Sequence, residues 1–523
     1  MPITAHGKRM SATRSRNLLA ATSAQARSKQ GNPLELAVPA LLTLAVAVWG
    51  IRGPSYWRDE AATISAVHRP LPQLLRMLTN DDAVHGAYYL IMWPVARLAG
   101  TGELAMRLPS ALAMSATALA IVAIGRRIVP GKAGLVAGLV WALLPATSWH
   151  GQDARPYAMA TTLACTASYL LLRVLESTER KWLAGYAVSL AGLAALNLFG
   201  LLLLPAHGIT VALISGRYRR GSGSGANDLG RWLTAAGLAA LSVAPLVVLA
   251  WRQRADIEWI PALNHHEATT VAGWSGSLAV SQVAELIIGV GIAFAGAAGW
   301  SVLKHKFTGR LLALTVPWLV MPLALLVVAS LVKPVFEFRY ILISVPAMAL
   351  LVGAAISAAG RAAGVAAIAV LALTAVPGQQ AVRGSQGHFE NVRWLDQIIA
   401  ARALRGDVVL YSWSGWRQAA AAYPYGLAQL VDVAQSKTPV QAGNLLGTDL
   451  PTAEVAQRLC AVPRAWLVQV NIWRQDPLLA GHNFRLARTW QVADVWLQLY
   501  DSAAKTTARR CRPGPEQPAS SRG

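Results

Sequence analysis

The chain is poor in charge and poor in cysteine. Only 14% of its 523 residues are Asp, Glu, Lys or Arg, against about a quarter in an average soluble domain, which argues against an ordinary water-soluble protein. Three cysteines are too few for a disulfide-built scaffold. No internal repeat is visible, and no cleavage pattern of small residues follows the basic amino-terminal stretch, so it does not read as a cleaved signal peptide.

What is present is apolar. Hydrophobic residues make up 54% of the chain, and many fall in uncharged runs near the ~20 residues that cross a bilayer as a helix. Such runs lie at about 34–51, 105–125, 133–149, 157–175, 183–198, 200–215, 232–250, 281–302, 311–332, 340–358 and 362–377. The expected fold is therefore an all-α polytopic membrane protein of about 11 spans.

The formal net charge of +22 does not point to nucleic acid, because the basic residues sit in the amino-terminal tail and in alternate connections between spans. Lys8, Arg9, Arg14, Arg16, Arg27 and Lys29 come first. They are followed by Arg126, Arg127 and Lys132, by Arg180 and Lys181, by Arg217, Arg219 and Arg220, and by Lys304, Lys306 and Arg310. That alternation is the positive-inside pattern and predicts a cytoplasmic amino terminus with an odd number of crossings. It holds only if Val84–Ala99 lies along the membrane, with Tyr88, Tyr89 and Trp93 at its surface.

On this topology residues 53–104, 150–156, 252–280 and 333–339 share the outer side with everything after Pro377. The polar residues that break the apolar pattern collect there. The first segment carries Asp59, Glu60, Asp81, Asp82 and His85, the second Gln152, Asp153 and Arg155, the third Asp256, Glu258, His265, His266 and Glu267, and the fourth Glu337 and Arg339. A shared site is the economical reading.

Beyond residue 377 the pattern changes to short β-rich runs, Val408–Tyr411, Ala465–Val470 and Val495–Tyr500, mixed with helical stretches. The expected division is a basic tail at 1–33, a transmembrane domain at 34–377, a small extracytoplasmic α/β domain at 378–502 and a tail at 503–523. Cys460 and Cys511 fall outside the spans and could pair in an oxidising compartment.

Asp59 and Glu60 follow the aromatic pair Tyr56-Trp57, which places two carboxylates at the membrane interface, where one can act as a general base. Asp81 and Asp82 either cap the helix that follows or belong to the site. His85 faces the headgroup layer and has no His-x-x-x-His spacing around it. Arg155 and Arg339 each end a span beside a tyrosine, Tyr157 and Tyr340, and offer paired hydrogen bonds to phosphate. Snorkelling to headgroups is the rival reading for each arginine alone.

The order of these motifs resembles a known set. Trp57-x-Asp59-Glu60, Asp82-x-x-His85-x-x-Tyr88-Tyr89, Gly102-Glu103-x-x-x-Arg107-Leu108-Pro109, Gln152-Asp153-Ala154-Arg155-Pro156-Tyr157 and Arg339-Tyr340 resemble the GT-C integral-membrane glycosyltransferases. Their protein mannosyltransferase-like branch is the most similar, and within it the actinomycete polyprenyl-phosphomannose-dependent mannosyltransferases. The resemblance covers residues 34–360. Gly86 stands where that family commonly has proline.

The resemblance implies an inverting transfer of a sugar, with mannose expected, from a polyprenyl-phosphate donor to an acceptor hydroxyl on the outer face of a bacterial membrane. Asp59 would be the base and Glu60 its partner in orienting acceptor or metal. His85, Arg155 and Arg339 would contact the donor phosphate, with Asp82, Tyr88, Gln152, Asp153, Tyr157 and Tyr340 in substrate-binding or supporting places. The resemblance names no certain cofactor, and a divalent cation on Asp59 and Glu60 stays open. The acceptor is open too: a protein, a lipoglycan, a wall polymer or a lipoglycopeptide. A transporter or lipid flippase is the rival, and would place its polar residues near the bilayer midplane.

Overall fold

The computed structural model describes residues 33–218, 224–260, 262, 306–388, 390–470, 476–492 and 495–503. Residues 1–32 and 504–523 of the expected tails, Gly221–Gly223, His265, His266, Glu267, the expected span at 281–302 and Cys511 with its pairing to Cys460 lie outside the described residues.

The first elements are α1 (Pro33–Val48), α2 (Arg58–Val67), α3 (Leu71–Asn80), α4 (Gly86–Ala99), α5 (Glu103–Ile128), α6 (Ala133–Leu143), α7 (Pro145–Gly151) and α8 (Tyr157–Glu176). Further helices follow at Arg180–Leu196, Leu203–Tyr218, Ser224–Ser242, Ala244–Arg252, Lys306–Val332, Val345–Ala358 and Arg361–Arg383. Among the described residues six helical segments are long and apolar enough to cross a membrane, and two bent pairs would add one span each. The chain is a multi-span membrane protein.

The expected straight span at 133–149 is broken into α6 and α7 with a 65° bend. Leu144 is extended, at φ −62° and ψ 127°, because Pro145 disfavours helical backbone in the residue before it. The run at 232–250 bends by 45° one residue ahead of Ala244-Pro245. By contrast the last long helix continues through Pro377 to Arg383, so the expected domain boundary falls inside it.

Helices in the bundle approach closely where side chains are small. A Cβ on Gly353 would lie 2.4 Å from the Ala137 backbone, so helix Val345–Ala358 packs against α6 nearly backbone to backbone. Small-residue contacts of this kind are a main source of helix association in lipid.

Helix α4 has 14 residues, about 21 Å at 1.5 Å per residue, which is shorter than the hydrocarbon core. Tyr88 and Tyr89 are both fully buried, which corrects the expectation that they lie at the helix surface. Leu90, Ile91 and Leu98 are its exposed large hydrophobic side chains.

The carboxy-terminal part carries strands β1 (Val408–Tyr411), β2 (Val431–Asp432), β3 (Gln435–Lys437), β4 (Thr448–Asp449), β5 (Arg464–Val470), β6 (Phe484–Val492) and β7 (Val495–Ser502). Strands β3 and β4 pair with each other, and the other five form a sheet in the order β2-β1-β5-β7-β6. Strand β1 pairs in parallel with β2 and β5, and β7 pairs antiparallel with β5 and β6. Side chains alternate across a strand. Val409, Trp466 and Val468 accordingly enter the core shared with the helices, while Val408, Leu410, Ala465 and Leu467 enter a second core with Val455 and Leu459. With both faces covered, β1 and β5 read as continuous apolar runs.

Candidate active site

The loops expected on one side meet at one end of the helical bundle. Arg339 Nη1 lies 2.8 Å from Asp59 Oδ2, and Arg155 Nη2 lies 4.0 Å from the same oxygen. The backbone N–H groups of Asp82 and Ala83 donate to Asp256 Oδ2 and Gln253 Oε1 at 3.2 and 2.8 Å. Leu445 of the carboxy-terminal part donates its N–H to Asp81 Oδ2 at 2.7 Å.

The adjacent acids Asp59 and Glu60 have opposite surroundings. Helix α2 begins at Arg58, and consecutive residues of a helix point about 100° apart. Glu60 points inward and its side chain is 0% exposed, whereas that of Asp59 is 27% exposed.

Glu60 is saturated by protein groups. Arg107 Nε donates to Oε1 at 2.7 Å and Nη2 to Oε2 at 2.6 Å, and the Ala154 N–H donates to Oε1 at 2.8 Å. The remaining N–H groups of Arg107 donate to the carbonyls of Ile51, Pro54 and Ser55 at 2.8, 2.9 and 3.0 Å. Burial alone would raise the Glu60 carboxyl, but the charge and hydrogen bonds of Arg107 outweigh it and hold the group at about 2. Glu60 is thus built into the scaffold of the first loop, away from the place expected for it beside an acceptor.

Asp59 is the acid that reaches the surface of the cluster. Burial pushes its carboxyl up, yet Arg339 first, then Arg155, Arg58 and His85, bring it below the usual aspartate value. It is an ionised carboxylate facing two guanidinium groups.

Behind Asp59 stands a chain of side chains that orients Arg155. Arg155 Nη2 donates to His85 Nε2 at 2.8 Å, and Nη1 donates to the Asp59 carbonyl at 3.1 Å and the Tyr89 hydroxyl at 3.4 Å. Because a guanidinium only donates, His85 Nε2 must accept, which leaves the proton on Nδ1 to donate to Asp82 Oδ1 at 2.5 Å. Burial first, and Arg155 next, lower the pKa of His85 against the pull of Asp82, consistent with a neutral ring. In this arrangement His85 positions Arg155, and its Nε2 is not free to donate to a phosphate.

Asp82 holds this chain in a left-handed backbone conformation, φ 55°, which Asp tolerates better than most residues. It makes no side-chain cap hydrogen bond. Its carboxylate receives His85 and the Tyr89 hydroxyl instead. Of the two tyrosines, Tyr89 is the one that joins the cluster, while Tyr88 lies in the core.

The remaining expected residues are supports. The Gln152 amide ties to the carbonyls of Ala47 and Trp49 at 2.9 and 2.8 Å. Asp153 Oδ1 accepts from Trp57 Nε1 at 3.1 Å. Tyr157 and Tyr340 have ring centres 6.3 Å apart, and Arg339 lies over Trp57 at 5.6 Å and over Tyr157 at 5.9 Å, within cation–π range.

With this geometry in hand, comparison with known proteins is specific about the fold. ArnT from Cupriavidus metallidurans superposes in its apo state with a TM-score of 0.57, and bound to undecaprenyl phosphate with 0.54. In each case identity is 14%, over 92% of this chain and 99% of that one. The chain shares the GT-C fold of these structures. The sequence profile of the family described as dolichyl-phosphate-mannose-protein mannosyltransferase matches residues 86–251. The archaeal oligosaccharyltransferase AglB from Archaeoglobus fulgidus overlaps more loosely, with a TM-score of 0.46 and 10% identity over 90% of this chain and 74% of that one. No curated protein matches the chain in sequence.

On this GT-C fold, one group of three described residues, Glu60, Asp153 and His388, brings ligand atoms within 4.8 Å of one another. Asp153 Oδ2 and His388 Nε2 are buried without a hydrogen-bond partner, but both Glu60 oxygens are already taken by the Arg107 guanidinium, whose positive charge opposes a cation there. Asp59, expected as the partner of Glu60 on a metal, points away from it. Burial first, and then Glu60, push the Asp153 carboxyl well above the usual aspartate value.

Sequence reasoning gave no site role to Arg107, Tyr89 or His388. Arg107 could have been found, since an arginine in the first turns of a span on the acid-bearing side needs a buried partner. His388 lies in the connection after the last long helix, where no local pattern marks it.

Proposed function

We propose that this protein is a glycosyltransferase that moves a sugar from a polyprenyl-phosphate donor to an acceptor hydroxyl, with Asp59 as the general base. The observation that carries the reading is Asp59 itself: a partly exposed, ionised carboxylate against Arg339 and Arg155 at one end of a GT-C fold. The profile match to a family described by its dolichyl-phosphate-mannose donor and the ArnT structure bound to undecaprenyl phosphate support a lipid-phosphate donor. Mannose is the sugar to test first. The basic residues on alternate connections support a site on the outer face of a bacterial membrane, with the amino terminus inside.

The chemistry follows from the contacts. Without donor, Arg339 is engaged by Asp59. The donor phosphodiester, singly charged like a carboxylate, competes for Arg339 and Arg155, which releases Asp59 towards the acceptor, and its negative charge grows as it becomes the departing phosphate monoester. Asp59 then takes the proton of the acceptor hydroxyl as that oxygen bonds to the anomeric carbon from the face opposite the phosphate. The bond from carbon to phosphate oxygen breaks, its electron pair leaves with the polyprenyl phosphate, and the arginines stabilise the departing charge. Phosphate leaves without a proton, so one base suffices and the anomeric centre inverts.

The polar residues of the site gather at one end of the bundle. Nothing in this arrangement favours the transporter reading, which needs a midplane site. Membranes carrying the protein, given radiolabelled polyprenyl-phosphate mannose and in parallel the arabinose-charged donor, should transfer label, and the Asp59→Asn variant should not. Transfer by that variant at the parent rate would remove Asp59 from the base role.

A further inference from the structure

Helix α2 carries Asp59 in its first turn, and its own N-cap is poor. The N-cap residue is Trp57, which offers no side-chain acceptor, so the first N–H groups of the helix need acceptors from elsewhere. One comes from far along the chain. Glu390, in the connection to the outer domain, accepts the Arg58 N–H on Oε2 at 2.9 Å and Arg58 Nε on Oε1 at 2.5 Å.

We propose that Glu390 is a positioning residue for catalysis: it caps helix α2 in place of Trp57 and so fixes Asp59 relative to Arg339 and Arg155. This rests on the reading that Asp59 is the base.

Several contacts make Glu390 suited to this task. It is 6% exposed, so its carboxylate is not shared with solvent. Its carbonyl accepts from Ser55 Oγ at 3.1 Å, and Ser55 Oγ accepts the Val392 N–H at 3.0 Å, which ties the strap to the first loop at Glu390 itself and two residues after it. Arg58 is further held over the Trp413 ring of the outer domain at 5.3 Å. Nearby, the Tyr56 N–H donates to the Tyr423 hydroxyl at 2.8 Å, and that hydroxyl donates to Glu103 Oε1 at 2.8 Å. A carboxylate at a helix N-terminus also favours the helix dipole. The outer domain is thereby coupled to the position of the base, although its strands lie outside the site.

The test compares Glu390→Ala, Glu390→Gln and Glu390→Asp in the full-length protein in nanodiscs, by two readouts. The first is hydrogen–deuterium exchange of residues 56–66, with residues 157–176 as internal reference. The second is kcat and donor KM with the polyprenyl-phosphate sugar that the parent uses. Expected is faster exchange at 56–66 in Glu390→Ala, with the reference unchanged and kcat down by about tenfold or more, the scale of a misplaced catalytic group, at unaltered donor KM. Glu390→Gln, which keeps an acceptor oxygen at full reach, should exceed Glu390→Asp, which keeps the charge but is one methylene shorter. Unchanged exchange at 56–66 in Glu390→Ala would overturn the proposal, as would a defect confined to donor KM. Should Glu390→Ala not insert, Glu390→Asp equal to or better than Glu390→Gln would overturn it. If the parent protein shows no transfer, the functional reading fails by itself and the exchange arm still decides whether Glu390 holds the helix.

Discussion

Replacing each of the two adjacent acids by its amide should separate stability from activity. Glu60→Gln removes the charge that faces Arg107 while keeping the volume. Both side chains are 0% exposed and are joined by hydrogen bonds of 2.7 and 2.6 Å, so the arginine is left buried and uncompensated. Breaking a buried pair from one side costs about 3–5 kcal/mol. The three carbonyl acceptors of Arg107 limit its escape, which places the expectation in the upper part of that range. Asp59→Asn removes a carboxylate that is 27% exposed; partly solvated pairs of this kind contribute roughly 0–1 kcal/mol. Thermal unfolding of the purified protein in one detergent should therefore give a clear fall in Tm for Glu60→Gln and little change for Asp59→Asn, with transfer abolished in the latter. Equal Tm values for Glu60→Gln and the parent, or an equal fall for both variants, would refute the division of roles.

Four further outcomes follow from the same contacts. Arg339→Ala should raise donor KM and move the acid limb of the kcat/KM profile to higher pH, since Arg339 is the leading charge that lowers the Asp59 carboxyl; an unmoved limb would detach the two residues. Stability should respond to acid through Glu60. Its folded value of about 2 lies below its ordinary 4.5, so its contribution is complete above the higher value, declines as pH falls and is lost below the lower one, a course that denaturant midpoints from pH 6 to 3 would follow in the parent and not in Glu60→Gln. Tyr89→Phe, which removes the hydroxyl contacting Asp82 and Arg155, should lower kcat more than Tyr88→Phe, and equal rates would count against the orienting chain. Within the bundle, His207 joins Ser168 at 3.1 Å and Tyr186 at 2.9 Å, so His207→Leu should cost about 1–3 kcal/mol while the rate per folded molecule stays near that of the parent.

Much of this was legible because lipid imposes simple rules on sequence. Apolar runs located most of the described helices closely, although helix Ser224–Ser242 begins well before the run at 232–250 and the last long helix continues past Pro377 to Arg383, and basic residues on alternate connections sorted the loops into two sets, one of which meets around Asp59. The bends at Leu144 and Val243 could have been foreseen from Pro145 and Pro245. Other features could not be read locally. Which of Asp59 and Glu60 faces the cluster depends on the rotation of helix α2, and which of Tyr88 and Tyr89 joins it depends on that of α4. Both rotations are set by partners distant in sequence, Arg107 for the first and Asp82 with Arg155 for the second. The role of His85 turned on a hydrogen bond from Arg155, which decides its tautomer. His388 and Glu390 left no trace in local pattern, since a strap becomes meaningful only once it is packed against the loop that it holds.

The central claim is that Asp59 removes the acceptor proton in sugar transfer from a polyprenyl phosphate. The most direct measurement supplies radiolabelled polyprenyl-phosphate mannose, and the arabinose-charged equivalent in parallel, to acceptor-containing membranes bearing either the parent protein or Asp59→Asn at matched levels. The parent should transfer label from one donor, and Asp59→Asn should transfer none above background. Undiminished transfer by the variant, or donors left intact by a correctly inserted parent, would contradict it.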